Sequence, residues 1–257
     1  MDELHNTGDS KITLFTTNSF ERTLTMNRQE TKVLFLFDNI SRANHSCRPN
    51  AVWEWDPQRE ERGVGTLHAL QDMRTGTQIK VDYCPSETDA LRTTAVRRPI
   101  LAANYAFHCD CPACGNAVDD QSRTRAAGLY GQLFTPALQI QGGETDEQSV
   151  IRRIGVAEDY IDVLKELKLW DLKLADAYGE LADLHERAWD ASQNTNHCQT
   201  CRDAGRFGIH LDKAVAAATE EWAIHLKCWG PKHPDLKQDV EKLQQRLQKQ
   251  FQYPRDR

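Results

Sequence analysis

Cysteine spacing is the strongest chemical signal in this sequence. Cys109, Cys111 and Cys114 form a C-x-C-x-x-C cluster, a spacing that lets three thiolates from one tight loop converge on a single ion. Structural zinc prefers four thiolate-rich ligands, so a fourth Cys or His must come from elsewhere in the chain, and Cys47 is the candidate. The alternative is buried thiols without a ligand, which suits a single cysteine such as Cys84 better than three within six residues.

A second pair, Cys198-x-x-Cys201, is a weaker candidate for a metal site. His197, His210 and Cys228 could complete it, but no spacing rule brings them together. We therefore favour ordinary thiols at a helix boundary here.

A series of motifs over residues 40–116 resembles the C-terminal half of a SET domain. In chain order they are NHSCRPN at 44–50, HALQDM at 68–73, GTQI-x3-Y at 76–83 and Y-x-F-x-C-x-C-x2-C at 105–114. Their order and spacing are similar to those of protein-lysine methyltransferases of the SMYD-like group and of fungal SET proteins with helical C-terminal regions.

The resemblance implies an active site built around a knot-like crossing of two segments. Asn44 would hold the methionine end of S-adenosylmethionine, His45 would meet the adenine through backbone atoms, and Phe107 would pack against this cofactor. Tyr83 would be the catalytic tyrosine, and Tyr105 would line the channel for the target lysine.

The same resemblance implies structural Zn²⁺ held by Cys47, Cys109, Cys111 and Cys114 in the post-SET loop, in agreement with the spacing. The substrate would be a protein with a target lysine, such as a histone. Methyl transfer is an in-line displacement, so the site must align a neutral amine with the sulfonium methyl group and exclude water. Because free lysine has a pKa of about 10.4, desolvation and the nearby sulfonium must favour loss of its proton.

The elements that must position these residues change in type along the chain. Apolar runs predict strands at 32–37, 51–55, 65–69 and 78–83, with Ile79, Val81 and Tyr83 on one face of the last. A short helix and the Cys-rich segment follow between Leu91 and Cys114.

Beyond about residue 119 the apolar residues recur at helical spacing. The helices predicted there could stack as tetratricopeptide-like hairpins, although no 34-residue repeat is evident. The apolar positions that mark them are Ile151, Ile154, Ile161, Leu164 and Leu167, then Leu174, Ala177, Tyr178, Leu181 and Leu184, then the segment 214–229, and finally Val240, Leu243 and Leu247 as a narrow stripe on 236–250.

We therefore predict an α+β protein with two domains. Residues 1–118 would hold the C-terminal half of a β-rich SET domain with its zinc-binding post-SET loop, and residues 119–257 an α-helical, possible protein-binding domain. Residues 1–43 contain no Gly-x-Gly, the turn at which SET domains approach their cofactor, so we expect an N-terminally truncated domain. Two readings stay open: a lysine methyltransferase, or a zinc-stabilised scaffold without catalysis.

Composition excludes several other classes. The 257 residues carry 32 Lys plus Arg against 38 Asp plus Glu, without a dense basic run, which argues against direct nucleic-acid binding. No stretch approaches a membrane span, and the first residues are acidic and polar, so we expect an intracellular protein of the nucleus or cytoplasm. The eight cysteines are then expected to be reduced or metal-bound.

Overall fold

A computed structural model describes residues 19–26, 29–56, 64–84, 86–135, 146–194 and 206–252. The chain forms two compact units, Met1–Asn116 and Ala117–Arg257. Within the described residues, the first unit holds the strands, a short 3₁₀ helix and two α-helices, and the second unit is mainly helical.

The described strands of the first unit form three two-stranded sheets. Two are antiparallel and one is parallel. The antiparallel pairs are β1 (Phe20–Met26) with β2 (Gln29–Phe35) and β4 (Ala51–Asp56) with β5 (Val64–Ala69), and the parallel pair is β3 (Asn44–His45) with β6 (Lys80–Val81).

The strands predicted at 51–55 and 65–69 are confirmed as β4 and β5, with Ala51 opposite Ala69. The strand predicted at 78–83 is wrong in extent, because only Lys80 and Val81 pair. Its predicted common face is wrong at Ile79, which is 42% exposed, whereas Val81 is buried and Tyr83 packs against the same core. A two-residue parallel pair cannot impose the alternation of a regular strand on its flanks.

A small apolar core supports the crossing of β3 and β6. Its buried members are Ile40, Ala43, Ala51 and Val81, and Tyr83 packs against them. Ile40 lies in a short 3₁₀ helix, Ile40–Arg42, directly before β3. The end of this helix therefore places β3 against the core.

Two helices lead into the Cys-rich segment. In α1 (Glu87–Ala90) the Ser86 hydroxyl accepts a hydrogen bond from the Asp89 amide, a normal N-cap. The second, α2 (Thr94–Tyr105), ends where Ala106 takes a left-handed conformation with φ of 57°. This ending turns the chain back, so that residues 107–114 run past the base of α2.

The second unit contains five helices within its described residues, each packed against the next in sequence. They are α3 (Ala117–Phe134), α4 (Asp146–Glu166), α5 (Leu172–Asn194), α6 (Arg206–Trp229) and α7 (Leu236–Gln252). Sequential packing of this kind is typical of helical hairpins but does not establish a tetratricopeptide-like repeat. None of the described helices is long and apolar enough to cross a membrane.

Most of the apolar positions predicted for these helices are buried or half-buried, and two are exposed. Ile151 is 51% exposed, one turn before the buried Ile154. On α7 the predicted stripe is wrong at Val240, which is 37% exposed, because the helix buries Leu236, Asp239 and Arg246 instead. Two of these three side chains are charged, so a hydrophobic pattern could not identify the face.

Candidate active site and thiol cluster

The four predicted ligands come together in the first unit. The sulfurs of Cys47, Cys109, Cys111 and Cys114 all lie within 4.8 Å of one another, and all four residues are buried. Cys47 reaches the cluster from a loop 67 residues before Cys114, and their sulfurs are 3.6 Å apart. Four converging thiols in a protected pocket could hold a metal ion.

The chain locally favours this convergence. Cys109 follows the left-handed turn after α2, and a backbone hydrogen bond of 2.9 Å from the Cys114 amide to the Cys111 carbonyl closes a tight turn between two of the ligands. The guanidinium of Arg98 donates to the Cys109 carbonyl at 2.9 Å. These contacts fix the backbone on which three of the sulfurs are carried.

A buried arginine, which sequence reasoning missed, borders the cluster. Arg97 has no exposed surface and donates from Nε to the Cys47 sulfur at 3.2 Å and from Nη2 to the Cys114 sulfur at 3.5 Å. Nη2 also donates to the Thr94 hydroxyl, and Nη1 to the Arg92 carbonyl. A charged guanidinium between two sulfurs compensates the negative charge of thiolates. No motif marks Arg97, whose only sequence signal is its place in the helix before the cysteines.

The thiols differ in how easily they ionise. Hydrogen bonding from Cys47 lowers the pKa of Cys111 to about 3, whereas burial raises the pKa of Cys109 to about 12. The pKa of Cys47 is also raised, first by its hydrogen bond to Cys111 and then by burial. Cys111 is therefore the thiol that ionises most readily, and burial opposes each further thiolate unless positive charge lies nearby. This donor set fits a thiophilic divalent ion such as zinc.

His45 connects the thiol cluster to the segment that contains Tyr83. Its Nδ1 accepts a hydrogen bond of 3.0 Å from the Tyr83 amide, so the neutral ring carries its proton on Nε2. Nε2 lies 3.2 Å from the Cys47 sulfur and donates to it. One buried imidazole therefore bridges the loop that supplies Cys47 and the residue predicted to be catalytic.

Four aromatic rings gather beside the cluster. The Tyr83 ring centroid lies 4.8 Å from that of Tyr105, 5.4 Å from that of His45 and 6.3 Å from that of Phe107. The Tyr83 hydroxyl donates to the Ala43 carbonyl, and burial raises its pKa, so it remains protonated at neutral pH. The site thus presents a neutral hydroxyl among aromatic walls.

The crossing itself is fixed by Asn50. This buried amide donates to the Gln78 carbonyl at 2.9 Å and accepts from the Lys80 amide at 2.8 Å. Its backbone amide donates to the Lys80 carbonyl at 3.1 Å. Asn50 therefore holds the 44–50 loop and β6 together, while Asn44, the predicted cofactor contact, is exposed on β3.

The weaker candidate for a metal site, around Cys198 and Cys201, lies mostly outside the described residues. His197, Cys198 and Cys201 lie outside them. His210 packs against His185, with 2.9 Å between their Nδ1 atoms, and Cys228 is buried on α6. Neither belongs to a group of metal-ligating side chains in the described part of the chain.

Comparison with known proteins gives a family match for part of the first unit. Residues 7–84 match the SET domain family. This segment is a SET domain. Its match includes the 44–50 loop and Tyr83 and ends at Cys84, so the cysteines at 109–114 follow the SET domain.

The curated relatives support the SMYD-like grouping that the motifs indicate. The chain is 37% identical over 92 residues to protein-lysine N-trimethyltransferase SMYD5 of Mus musculus, covering 35% of this chain and 20% of the relative. It is 32% identical over 74 residues to histone-lysine N-methyltransferase set5 of Schizosaccharomyces pombe, covering 29% and 21%. The match to protein-lysine N-methyltransferase SMYD4 of Pongo abelii is 31% over 114 residues, covering 44% and 13%. The chain thus aligns with about a fifth or less of the length of these three relatives.

Proposed function

We propose that this chain contributes to the methylation of lysine in a protein substrate, with S-adenosylmethionine as donor. The observation that carries the proposal is the aromatic group of Tyr83, Tyr105 and Phe107 around a protonated tyrosine hydroxyl, within and directly after a SET domain. The names of the relatives support a lysine side chain as acceptor, and histones are the substrate class to test first. In this proposal the protein acts in the nucleus or cytoplasm.

Each side chain has a role that its position permits. Tyr83 and Tyr105 would orient the amine and exclude water, because a neutral hydroxyl accepts or donates hydrogen bonds without a counter-charge that would keep the amine protonated. Asn44, His45 and Phe107 would bind the cofactor, with Asn44 at the exposed end of β3 and Phe107 on the aromatic group. The cofactor supplies the electrophilic methyl group, and these residues supply alignment.

We further propose that Zn²⁺ occupies the thiol cluster as a structural ion and that residues 1–118 and 119–257 act as separate catalytic and helical domains. The buried convergence of four sulfurs around Arg97 supports the zinc site. Bound zinc would hold the 44–50 loop against the segment that follows α2 and would take no part in transfer. The helical domain would present a surface for a protein partner.

Calorimetry of S-adenosylmethionine binding to the full chain tests the proposal. We expect binding in the wild type, loss of binding in Asn44→Ala, and unchanged binding in Asn104→Ala, which alters an exposed amide on α2. Incubation of the same three proteins with labelled cofactor and histones measures transfer. Absence of both binding and transfer in the wild type would contradict the enzyme proposal and favour the zinc-stabilised scaffold.

Zinc content measured by mass spectrometry tests the metal site separately. We expect Cys47→Ser to lose one equivalent of zinc and to unfold at lower temperature, because a structural ion contributes directly to folding. Cys84→Ser is the control, since Cys84 lies outside the cluster. Equal zinc content and stability in the two variants would contradict the assignment of Cys47 as a ligand.

A further inference from the structure

Three metal-ligating side chains meet in the helical unit, at a place that no motif marked. Glu221 and His225 lie one turn apart on α6, and Asp239 lies on α7. Ligand atoms of the three are all within 4.8 Å of one another. Their side chains are buried, with only 8%, 6% and 8% of Glu221, His225 and Asp239 exposed.

The ring of His225 is held in a fixed orientation. Its Nδ1 is 2.8 Å from Oδ2 of Asp239. Trp229, one turn further along α6, stacks on the imidazole with 3.9 Å between ring centroids and 10° between planes. The stacking and the contact with Asp239 together fix the orientation of the imidazole.

The Glu221 carboxylate is the observation that points to a missing ligand. It is more than nine-tenths buried, yet it makes no hydrogen bond or ion pair with any residue in the described ranges. Its position is shaped by α5, because a Cβ added at Gly179 would lie 2.6 Å from Oε1. A glycine on α5 thus makes room for a buried carboxylate that interacts with Lys242, His225 and Arg246 only at longer range.

The two carboxylates among these three side chains also favour a bound cation. Glu221 and Asp239 are two buried carboxylates whose oxygens lie within 4.8 Å of each other. Lys242 and Arg246 bring positive charge toward Glu221 without forming an ion pair with it among the described residues, and Arg246 is already bound to Asp183 and Glu186 on α5. A divalent ion would neutralise both carboxylates at once.

We propose that Glu221, His225 and Asp239 bind a divalent transition-metal ion, with zinc as the probe, and so join α6 to α7. Two carboxylate oxygens and one imidazole nitrogen are ligands that zinc accepts, and three protein ligands leave a fourth position for water. The Glu-x3-His spacing places two donors on the same face of one helix. This site is independent of the thiol cluster and of the proposed methyl transfer.

Metal counting on the full-length chain tests the site. After loading with zinc and removal of the excess, we expect two equivalents in the wild type and one in Glu221→Gln. Glu220→Gln, which alters the exposed neighbouring carboxylate, should retain two. The Cys47→Ser variant should retain one equivalent of zinc. The double variant Cys47→Ser/Glu221→Gln should retain none.

Cobalt(II) distinguishes the two sites, because a thiolate site gives intense sulfur-to-metal charge-transfer absorption and a site of nitrogen and oxygen ligands does not. Glu221→Gln should therefore lose one equivalent of cobalt without loss of the charge-transfer band. Asp239→Asn serves as a second variant, with circular dichroism in chelator confirming that each variant remains helical. The proposal would be overturned if Glu221→Gln and Asp239→Asn both kept two equivalents of metal. It would also be overturned if the wild type bound a single equivalent and Cys47→Ser removed it. If the thiol cluster binds no zinc, the single equivalent would instead survive Cys47→Ser and disappear in Glu221→Gln.

Discussion

Replacing Arg97 with methionine tests whether the thiol cluster carries a metal ion. Four thiolates around Zn²⁺ have a net charge of −2, and the buried guanidinium offsets part of it through its bonds to the Cys47 and Cys114 sulfurs. Methionine is close in length but is uncharged and cannot donate. The variant therefore removes the compensating charge while it keeps most of the packing.

The loss of stability expected in Arg97→Met depends on whether zinc is bound. In the zinc-loaded protein, removing one partner of a buried, hydrogen-bonded charge network costs about 3–5 kcal/mol. After chelation most of the thiols take up protons, so Arg97 faces largely neutral sulfurs and its own burial is no longer compensated. We expect the cost of Arg97→Met to fall by at least about 2 kcal/mol when zinc is removed, a coupling of the size seen between directly contacting groups.

Hydrogen exchange followed by mass spectrometry measures this free energy within the first unit alone. Peptides that cover residues 44–56 report the opening of β3 and β4, with and without chelator. Arg92→Met is the matched control, because the Arg92 side chain is exposed and only its carbonyl contacts Arg97. An equal loss with and without zinc, or no difference between the two variants, would refute the reasoning.

Three further predictions concern single side chains. Asn50→Ala should cost about 2–3 kcal/mol in the same exchange experiment, because it removes both side-chain hydrogen bonds across the crossing; a cost below about 0.5 kcal/mol would contradict this role. Tyr83→Phe should lower methyl transfer by about 100-fold with unchanged cofactor affinity, since it removes the hydroxyl bonded to Ala43; equal rates would exclude Tyr83 from catalysis. The pKa of His185 is lowered to about 4 by burial and by His210, so the unfolded chain binds more protons and the helical unit should lose about 3 kcal/mol as pH falls from about 6.5 to about 4. Chemical denaturation at each pH measures this free energy, and the His185→Gln variant should not show the loss. A variant whose stability falls with pH as the wild type's does would contradict the prediction.

Sequence reasoning succeeded where a residue's chemistry is tied to its spacing. Three cysteines within six residues require a fourth ligand, and the polar loop with Cys47 offered one. The structure brings these four sulfurs together, and the tyrosines and Phe107 gather beside them. The helices of the second unit could also be predicted from the sequence, because apolar residues on a buried helix face repeat with a period of 3.6 residues.

Sequence reasoning failed where burial is set by charge pairing. Arg97, Asp239 and Arg246 are polar residues that the fold encloses, and the hydrophobic pattern of α7 instead indicated Val240, which is exposed. Glu221 was missed for the same reason, since an isolated carboxylate on a helix is normally assigned to solvent. For Glu221, Asp239 and Arg246, only the tertiary packing of α5, α6 and α7 shows which charged groups lie near one another.

His45 shows why the thiol cluster and the tyrosine site cannot be treated as separate features of the first unit. Its two ring nitrogens are both engaged, Nδ1 by the Tyr83 amide and Nε2 by the Cys47 sulfur. A metal that draws the Cys47 sulfur into a fixed position also fixes the imidazole, and the imidazole in turn fixes the backbone that carries the Tyr83 hydroxyl. Structural zinc would therefore influence catalysis through position, although no reacting atom touches it.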